Sequence, residues 1–303
     1  MNINQYFQRL KSRFSRETIP NSSLDARLII QEGACLTAED FITRGETPLT
    51  DQQIETIEQF AERRLAGEPI SRIFSRREFW GLEFEVTKDT LDPRADTEIL
   101  VEKALERARK IVGKTEDESG GKKAPLVIAD IGTGTGCILI SMLTELPEAE
   151  GVAVDLSPEA LAVAQRNART HGVDGRIRFI QGSYLEPLKG LKIGLIVSNP
   201  PYIPESDIAN LAVEVRNHDP MMALSGGKDG LEAYKILCRE AKKVLPCGGF
   251  ALYEIGQGQA PDLIRLVDES NANLEGVYPD MAGIPRVVEI SYGDNEEKAC
   301  SPH

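Results

Sequence analysis

The residues best suited to chemistry are Asn199-Pro200-Pro201-Tyr202. They follow Leu195-Ile196-Val197-Ser198, an apolar run that reads as a buried strand ending in a loop. Two successive prolines cannot continue a sheet ladder, and they hold the loop stiff and extended. An amide acceptor, Asn199, and an aromatic ring, Tyr202, are thereby held at a strand's carboxyl end, where a planar NH2 group can dock. Such a nitrogen is a poor nucleophile when its lone pair is delocalised. A site for it must orient it and stabilise positive charge as it develops.

A second group lies upstream, in Asp130-Ile131-Gly132-Thr133-Gly134-Thr135-Gly136-Cys137. Three glycines at alternate positions allow a tight turn and close approach of a ligand to the backbone. The pattern departs from the dinucleotide fingerprint, because Gly136 comes one place early and Cys137 stands where the last glycine belongs. No Gly-Lys-Ser/Thr follows, so it is no P-loop. A ligand without phosphates, such as S-adenosylmethionine, is favoured over a plain structural turn. Asp155 follows Gly136 by 19 residues at the end of the next apolar run, placed to accept hydrogen bonds from both hydroxyls of a ribose. Capping of the helix begun by Ser157-Pro158 is its other role, one that Ser157 can fill alone. Tyr184 ends the following strand; it either packs on an adenine base or is a plain surface tyrosine.

The elements that position these residues alternate. From Leu126 onward, apolar runs that read as strands (LVIADIG, GVAVDLS, IRFIQG, KIGLIVSN, Gly249 to Ile255, Pro285 to Ser291) are interleaved with helical patterns. This predicts an α/β domain with a mostly parallel, doubly wound sheet, which binds ligands at the carboxyl ends of its strands. The long stretch from Ile203 to Gly230 reads as an irregular substrate-covering lid. Upstream, residues 1–75 are helical in pattern, with a capping box at Thr50 to Gln53 and Ile54, Ile57, Ala61 and Leu65 on one face. Residues 76–92 alternate around Gly81 and predict a hairpin that holds the single tryptophan, Trp80, in a packing role. The domain plan is therefore 1–75 helical and recognition-related, 76–92 a hairpin linker, and 93–303 the ligand-binding domain. The segment from Lys114 to Lys123 reads as a solvated loop, and Gly293 to His303 as a frayed tail.

Composition narrows the function further. The 303 residues carry 35 basic and 48 acidic side chains, a net charge of −13, which argues against direct grip on a nucleic-acid backbone. Cys35, Cys137, Cys238, Cys247 and Cys300 are odd in number and form no CxxC pair, as expected of reduced thiols in a cytoplasm. The three histidines are too dispersed for a metal site, so no metal is expected. The polar N-terminus is not a signal peptide, and no apolar run is long enough to span a membrane.

Taken together, DIGTGTG, the spacing to Asp155 and NPPY resemble the class I S-adenosylmethionine-dependent methyltransferases that modify a planar NH2 group. Further stretches resemble the PrmC/HemK family in particular: Gly67-Glu68-Pro69-Ile70, Arg77-Glu78-Phe79-Trp80, Pro93-Arg94 with Thr97-Glu98, Gly226-Gly227-Lys228-Asp229-Gly230, and Ala282-Gly283-Ile284-Pro285-Arg286. The resemblance spans nearly the whole chain. It implies a Rossmann-like, mostly parallel seven-stranded sheet, with a small N-terminal helical domain. It also implies transfer of a methyl group from S-adenosylmethionine, leaving S-adenosylhomocysteine, to the side-chain N5 of the glutamine in the GGQ motif of peptide chain release factors. Asp130, Gly132, Thr133, Gly134, Thr135, Gly136, Asp155, Tyr184 and Asn199 are then the cofactor residues. Asn199, Pro200, Pro201 and Tyr202 bind the substrate glutamine, with Asn199, Pro200 and Tyr202 catalytic and Tyr202 packed on the amide plane. Three positions depart from the family pattern: Ser75 for glycine, Asp92 for an apolar residue and Ala95 for proline. Rival readings are glutamine methylation of a large-subunit ribosomal protein, DNA adenine-N6 methylation, and a non-catalytic cofactor-binding adaptor. The DNA reading requires base flipping and a basic groove that this charge balance does not suggest.

Overall fold

The chain was analysed as a computed structural model describing residues 1–114 and 124–293. Of the polar stretch Lys114 to Lys123 only Lys114 is described, as the end of the helix Glu98–Lys114, and of the tail only Gly293. The expectations for 115–123 and 294–303 therefore lie outside the described residues.

Two units are formed, 1–75 with 212–218, and 76–211 with 219–303. In the first, the helices Ile3–Arg16, Ser22–Gly33 and Asp51–Leu65 bury Tyr6, Leu10, Phe14, Ile29, Ile30, Ile57 and Ala61 against one another. Thr50 and Gln53 form the expected capping box. The inclusion of 212–218 has no counterpart in the sequence reading. Its physical basis is Arg64, which is 3% exposed and bonds Asp25 at 2.7 Å and Glu214 at 2.5 Å. A buried guanidinium needs such partners, because leaving it unpaired is costly.

Ser75 ends the helix Ile70–Phe74 in the left-handed region, with φ 56°. That conformation suits glycine, the residue the family pattern has there, and costs a residue with a Cβ atom about 1 kcal/mol. Ser75→Gly is therefore expected to raise the unfolding free energy by roughly 1 kcal/mol, readable as a shifted urea midpoint at constant m. An unchanged or lowered midpoint would refute the strain.

The second unit opens with a hairpin, β1 (Arg76–Phe79) and β2 (Leu82–Glu85). Trp80 and Gly81 form its two-residue turn, both at positive φ, as a twist-matched hairpin requires. Trp80 packs against the hydrophobic core of this unit. Asn167 ties the hairpin to the glycine loop: its Nδ2 donates to the Glu85 carbonyl at 3.1 Å and to the Thr135 carbonyl at 2.9 Å.

The remaining strands are β3 (Val127–Ile131), β4 (Glu150–Asp155), β5 (Ile177–Gln181), β6 (Leu195–Ser198), β7 (Gly249–Glu254), β8 (Asn273–Pro279) and β9 (Pro285–Tyr292). They form one seven-stranded sheet in the order β5-β4-β3-β6-β7-β9-β8. β3 to β7 run parallel, and β9 is antiparallel to both β7 and β8. The chain winds outward from β3 in one direction and from β6 in the other, so strand order reverses between these two, where α/β sheets bind ligands. β8 has no counterpart among the strands read from the sequence. It is an edge strand, largely exposed, that contains Gly276 and a register shift, so it lacks the apolar run that marked the others. The stretch 203–230 is also more ordered than expected, with short helices at Glu205–Ile208, Val213–His218 and Met221–Leu224.

Candidate active site

Register brings the two motifs together. Ile131 of β3 pairs with Ser198 of β6, and the Ser198 Oγ donates to the Ile131 carbonyl at 2.7 Å. The glycine loop and Asn199 therefore leave the sheet side by side. Between them opens a cavity, open to solvent on one side. Gly132, Gly134, Asp155, Tyr184, Asn199, Pro200 and Pro201 all line it. Pro220, Met222 and Ala223, from the far end of the expected lid, also face it.

Asp155 does more than the sequence suggested. Its Oδ2 accepts from the Gly134 N–H at 2.9 Å and its Oδ1 from the Ser157 N–H at 3.0 Å, so it staples the glycine loop. Ser157 caps the following helix through Ala160, as expected. A carboxylate offers about four acceptor sites, so Asp155 keeps capacity for a diol. Burial pushes its pKa upward, against the N–H bonds that hold the charged form.

Four of the expected cofactor residues stand behind the loop and do not line the cavity: Asp130, Thr133, Thr135 and Gly136. Asp130 is fully buried and accepts from the Thr133 hydroxyl at 2.6 Å. Gly136 starts the helix Cys137–Glu145 at φ 81°, and a Cβ there would lie 2.8 Å from Ile140 and 3.2 Å from Ala164. Its absent side chain lets two helices approach. Spacing alone could not separate glycines that face a ligand from one that faces a helix.

Burial raises the Asp130 carboxyl to about 7, with the charge of Asp155 adding to the effect and the Thr133 bond opposing it. The folded state thus holds this proton more firmly than the unfolded chain does. The contribution is most favourable below the ordinary pKa, is lost as the pH rises to about 7, and is level above. Asp130→Asn is expected to remove this slope, by roughly 4 kcal/mol over the window at most. Urea unfolding of both proteins between pH 5 and 8 measures it, and parallel stability curves would contradict it.

The acceptor side is built from three elements. Asn199 Nδ2 donates to Thr97 Oγ1 at 3.1 Å, which leaves its Oδ1 for another partner. β7 runs beside β6 with Ser198 opposite Tyr253, so Glu254 leaves the sheet next to Asn199. Glu254 is buried, its Oε2 has no hydrogen-bond partner among the described residues, and burial raises its carboxyl to about 7, with the nearby Thr97 hydroxyl and Arg286 favouring its charged form. Sequence reasoning named no acid beside this loop and missed Glu254. Its signal was an acid closing an otherwise apolar run, Phe250 to Tyr253. Gln259 was missed as well: its Nε2 donates to the Tyr202 carbonyl at 2.9 Å and the Gly230 carbonyl at 3.2 Å. Gly230 has φ 74°, and a Cβ there would sit 2.5 Å from the Tyr202 carbonyl, so only glycine admits this contact.

Tyr202 does not line the cavity. Its ring packs on the core beside Gly256, and burial raises its hydroxyl to about 12, with Glu254, Arg286, Arg94 and Asp96 as the surrounding charges. Arg94 bonds Asp219 at 2.7 Å, and Arg286 bonds Asp96 at 3.1 Å and Asp280 at 3.0 Å. The described residues contain no cluster able to hold a metal, and no helix among them is long and apolar enough to cross a membrane.

Sheet order, glycine loop and acidic strand end define a class I S-adenosylmethionine-dependent methyltransferase fold. The human methyltransferase 10 domain containing protein shares it, with TM-score 0.51 at 17% identity over 72% of this chain and 92% of that one. The catalytic domain of human METTL16 does so too, with TM-score 0.54 at 13% identity over 96% and 92%. Residues 119–219 match the family model described as Methyltransferase small domain, and residues 5–74 match the PrmC N-terminal domain. A release factor glutamine methyltransferase of Bradyrhizobium diazoefficiens is 43% identical over 92% of this chain and 91% of its own. One of Agrobacterium fabrum is 37% identical over 92% and 93%. The chain belongs to the release factor glutamine methyltransferase family.

Proposed function

We propose that this protein transfers a methyl group from S-adenosylmethionine to the side-chain nitrogen N5 of a glutamine in peptide chain release factors, the glutamine of their GGQ motif. The observation that carries the reading is that Asn199, with its Nδ2 held by Thr97, lines the same cavity as Gly134 and Asp155. S-adenosylmethionine supplies, when bound, an electrophilic methyl group on a sulfonium. Asp155 is the acceptor for the ribose hydroxyls, Gly132 and Gly134 admit close approach to the backbone, and Tyr184 stands at the base. These residues fit a ligand that presents a diol and a flat ring to an otherwise apolar cavity.

On the substrate side, Asn199 Oδ1 and the Pro200 carbonyl accept the two N–H groups of the glutamine amide. They orient the nitrogen and stabilise the positive charge that develops on it. The rest of the rate comes from alignment, which the rigid Pro200-Pro201 backbone secures. Pro201 completes the wall, and the Tyr202 ring, seated on the core beside Gly256, backs the loop. The cationic amide product is acidic enough to lose its proton late, without a strong general base. The helical unit, 1–75, serves recognition of the protein substrate. The acidic charge balance favours a protein over a nucleic acid as direct partner, and a cytoplasmic setting suits the thiols and the substrate.

Incubation with labelled S-adenosylmethionine and, separately, a release factor, a large-subunit ribosomal protein and DNA tests the proposal. Label is expected in the release factor alone. Label in the ribosomal protein or DNA in its place would overturn the choice of substrate.

A further inference from the structure

Two walls of the cavity come from loops distant in the chain. Asp89, Thr90 and Leu91, which follow the hairpin, line one, and Gly132 and Gly134 line the other. One buried side chain bonds to the backbone behind both. Asn167, in the helix Pro158–Thr170, is 2% exposed. Its Oδ1 accepts from the Glu85 N–H at 2.8 Å, and its Nδ2 donates to the Glu85 carbonyl at 3.1 Å and to the Thr135 carbonyl at 2.9 Å. Both N–H groups of the amide are thus used. Turning the amide over would set its NH2 against an N–H and its oxygen against two carbonyls. The links onward are short. Between Glu85 and the first wall lie Val86, fully buried, and a turn closed on itself. In that turn the Thr90 N–H donates to the Thr87 carbonyl at 3.1 Å, and the Thr87 N–H donates to the Thr90 hydroxyl at 3.2 Å. On the other side Thr135 adjoins Gly134, and the Gly136 N–H closes the glycine turn on the Thr133 carbonyl at 2.8 Å.

We propose, on the reading of this cavity as the S-adenosylmethionine site, that Asn167 is a positioning residue for the cofactor and sets the separation of the two walls. Asp155 holds the glycine loop from the cavity side, through the Gly134 N–H, and Asn167 holds it from behind, through the Thr135 carbonyl. Asn167 does not itself line the cavity, so its effect on a ligand passes through the residues that it holds. The grip needs an amide. A side chain that takes both the N–H and the carbonyl of one residue, and a second carbonyl besides, must carry an acceptor and two donors together. The missing Gly136 side chain brings the helix close enough, since a Cβ there would lie 3.2 Å from Ala164. Arg166, beside Asn167, bonds the Glu85 carboxylate at 2.8 Å and 2.7 Å, but that pair lies at the surface and fixes a side chain rather than the backbone.

The test is calorimetric binding of S-adenosylmethionine, with kcat measured on a release factor at saturating cofactor, for the wild type, Asn167→Ala, Asn167→Asp, Arg176→Ala and Asp155→Ala. Asn167→Ala should raise Kd and KM for S-adenosylmethionine about 10- to 100-fold, the usual loss when a group that orients ligand-binding residues goes, while kcat falls far less. Asn167→Asp keeps the size and the acceptor for the Glu85 N–H but turns an oxygen on two carbonyls, so it should bind as weakly as Asn167→Ala. Arg176 is the control for a general loss of stability. It donates to the Leu143, Leu146 and Ala149 carbonyls at 2.7 to 2.9 Å and touches neither wall, so Arg176→Ala should unfold at lower urea with Kd unchanged. Wild-type affinity in Asn167→Ala or Asn167→Asp, or an equal loss in Arg176→Ala, would overturn the inference while a weakened Asp155→Ala still upheld the cavity as the cofactor site. Undiminished affinity in Asp155→Ala would remove that reading and this inference with it. Residue-resolved amide exchange on the wild type needs no variant. S-adenosylmethionine should slow exchange of the Glu85 N–H, which Asn167 holds and which lies outside the cavity lining, and unchanged exchange there would count against the coupling and overturn it.

Discussion

Asn199→Ala is expected to lower methyl transfer to release factor by about 1,000-fold or more, the scale of loss when a preorganised group facing developing charge is removed. S-adenosylmethionine affinity should change only a few-fold. The asymmetry follows from the site. Asn199 is one of many residues lining the cofactor cavity, but its Oδ1 is one of only two acceptors assigned to the substrate amide. The fold should persist, because Ser198, which anchors the loop to β3, is untouched. Single-turnover transfer together with calorimetric binding of S-adenosylmethionine measures both quantities. Turnover near that of the wild type would sink the mechanism. Asn199→Asp is a sharper version of the same test: it keeps an acceptor oxygen but loses the NH2 that Thr97 holds and sets a second carboxyl beside Glu254.

Asp155→Ala carries the second large effect, and on the other half of the site. Both oxygens of Asp155 bind backbone N–H groups, one of them in the glycine loop, and the residue lines the cavity. Removal takes away the ribose acceptors and leaves the Gly134 N–H without its partner. Hydrogen bonds to a charged group contribute about 1.5–3 kcal/mol each. Dissociation constants for S-adenosylmethionine should therefore rise by roughly 100-fold or more, with transfer at saturating cofactor reduced far less. The sign of the pH dependence follows as well. Burial raises this carboxyl, and its charged form is the one that accepts, so wild-type affinity should weaken on acidification earlier than an exposed aspartate would dictate. Equal affinity in Asp155→Ala and wild type would show that the ribose is held elsewhere.

Legibility differed between the two halves of the site for a physical reason. Asn199, Gly134 and Asp155 sit at strand ends, and strands announce themselves as apolar runs, so their loops could be located by reading along the chain. The roles of Thr133, Thr135 and Gly136 could not be read this way. Alternate residues of one loop face opposite sides, and Gly136 turned toward Ile140 and Ala164 rather than the cavity. Ser75 was visible as a departure, but that it occupies a left-handed position is a property of the backbone. The edge strand β8 was not legible, because an exposed strand needs no apolar signature.

By itself, the order of residues determined the fold class and the cofactor type, and it singled out the loop proposed to face the substrate. Each of these rests on local spacing: apolar runs, glycines within one turn, and prolines that stiffen four consecutive residues. Only the tertiary structure decided what holds Asn199. Thr97 and Asn199 are about 100 residues apart in the chain and meet because the turn at Ala95–Thr97 brings Thr97 to the end of β6, beside which β7 places Glu254. Hydrogen bonding acts over about 3 Å in space whatever the separation along the chain, so a network of this kind has no local signature.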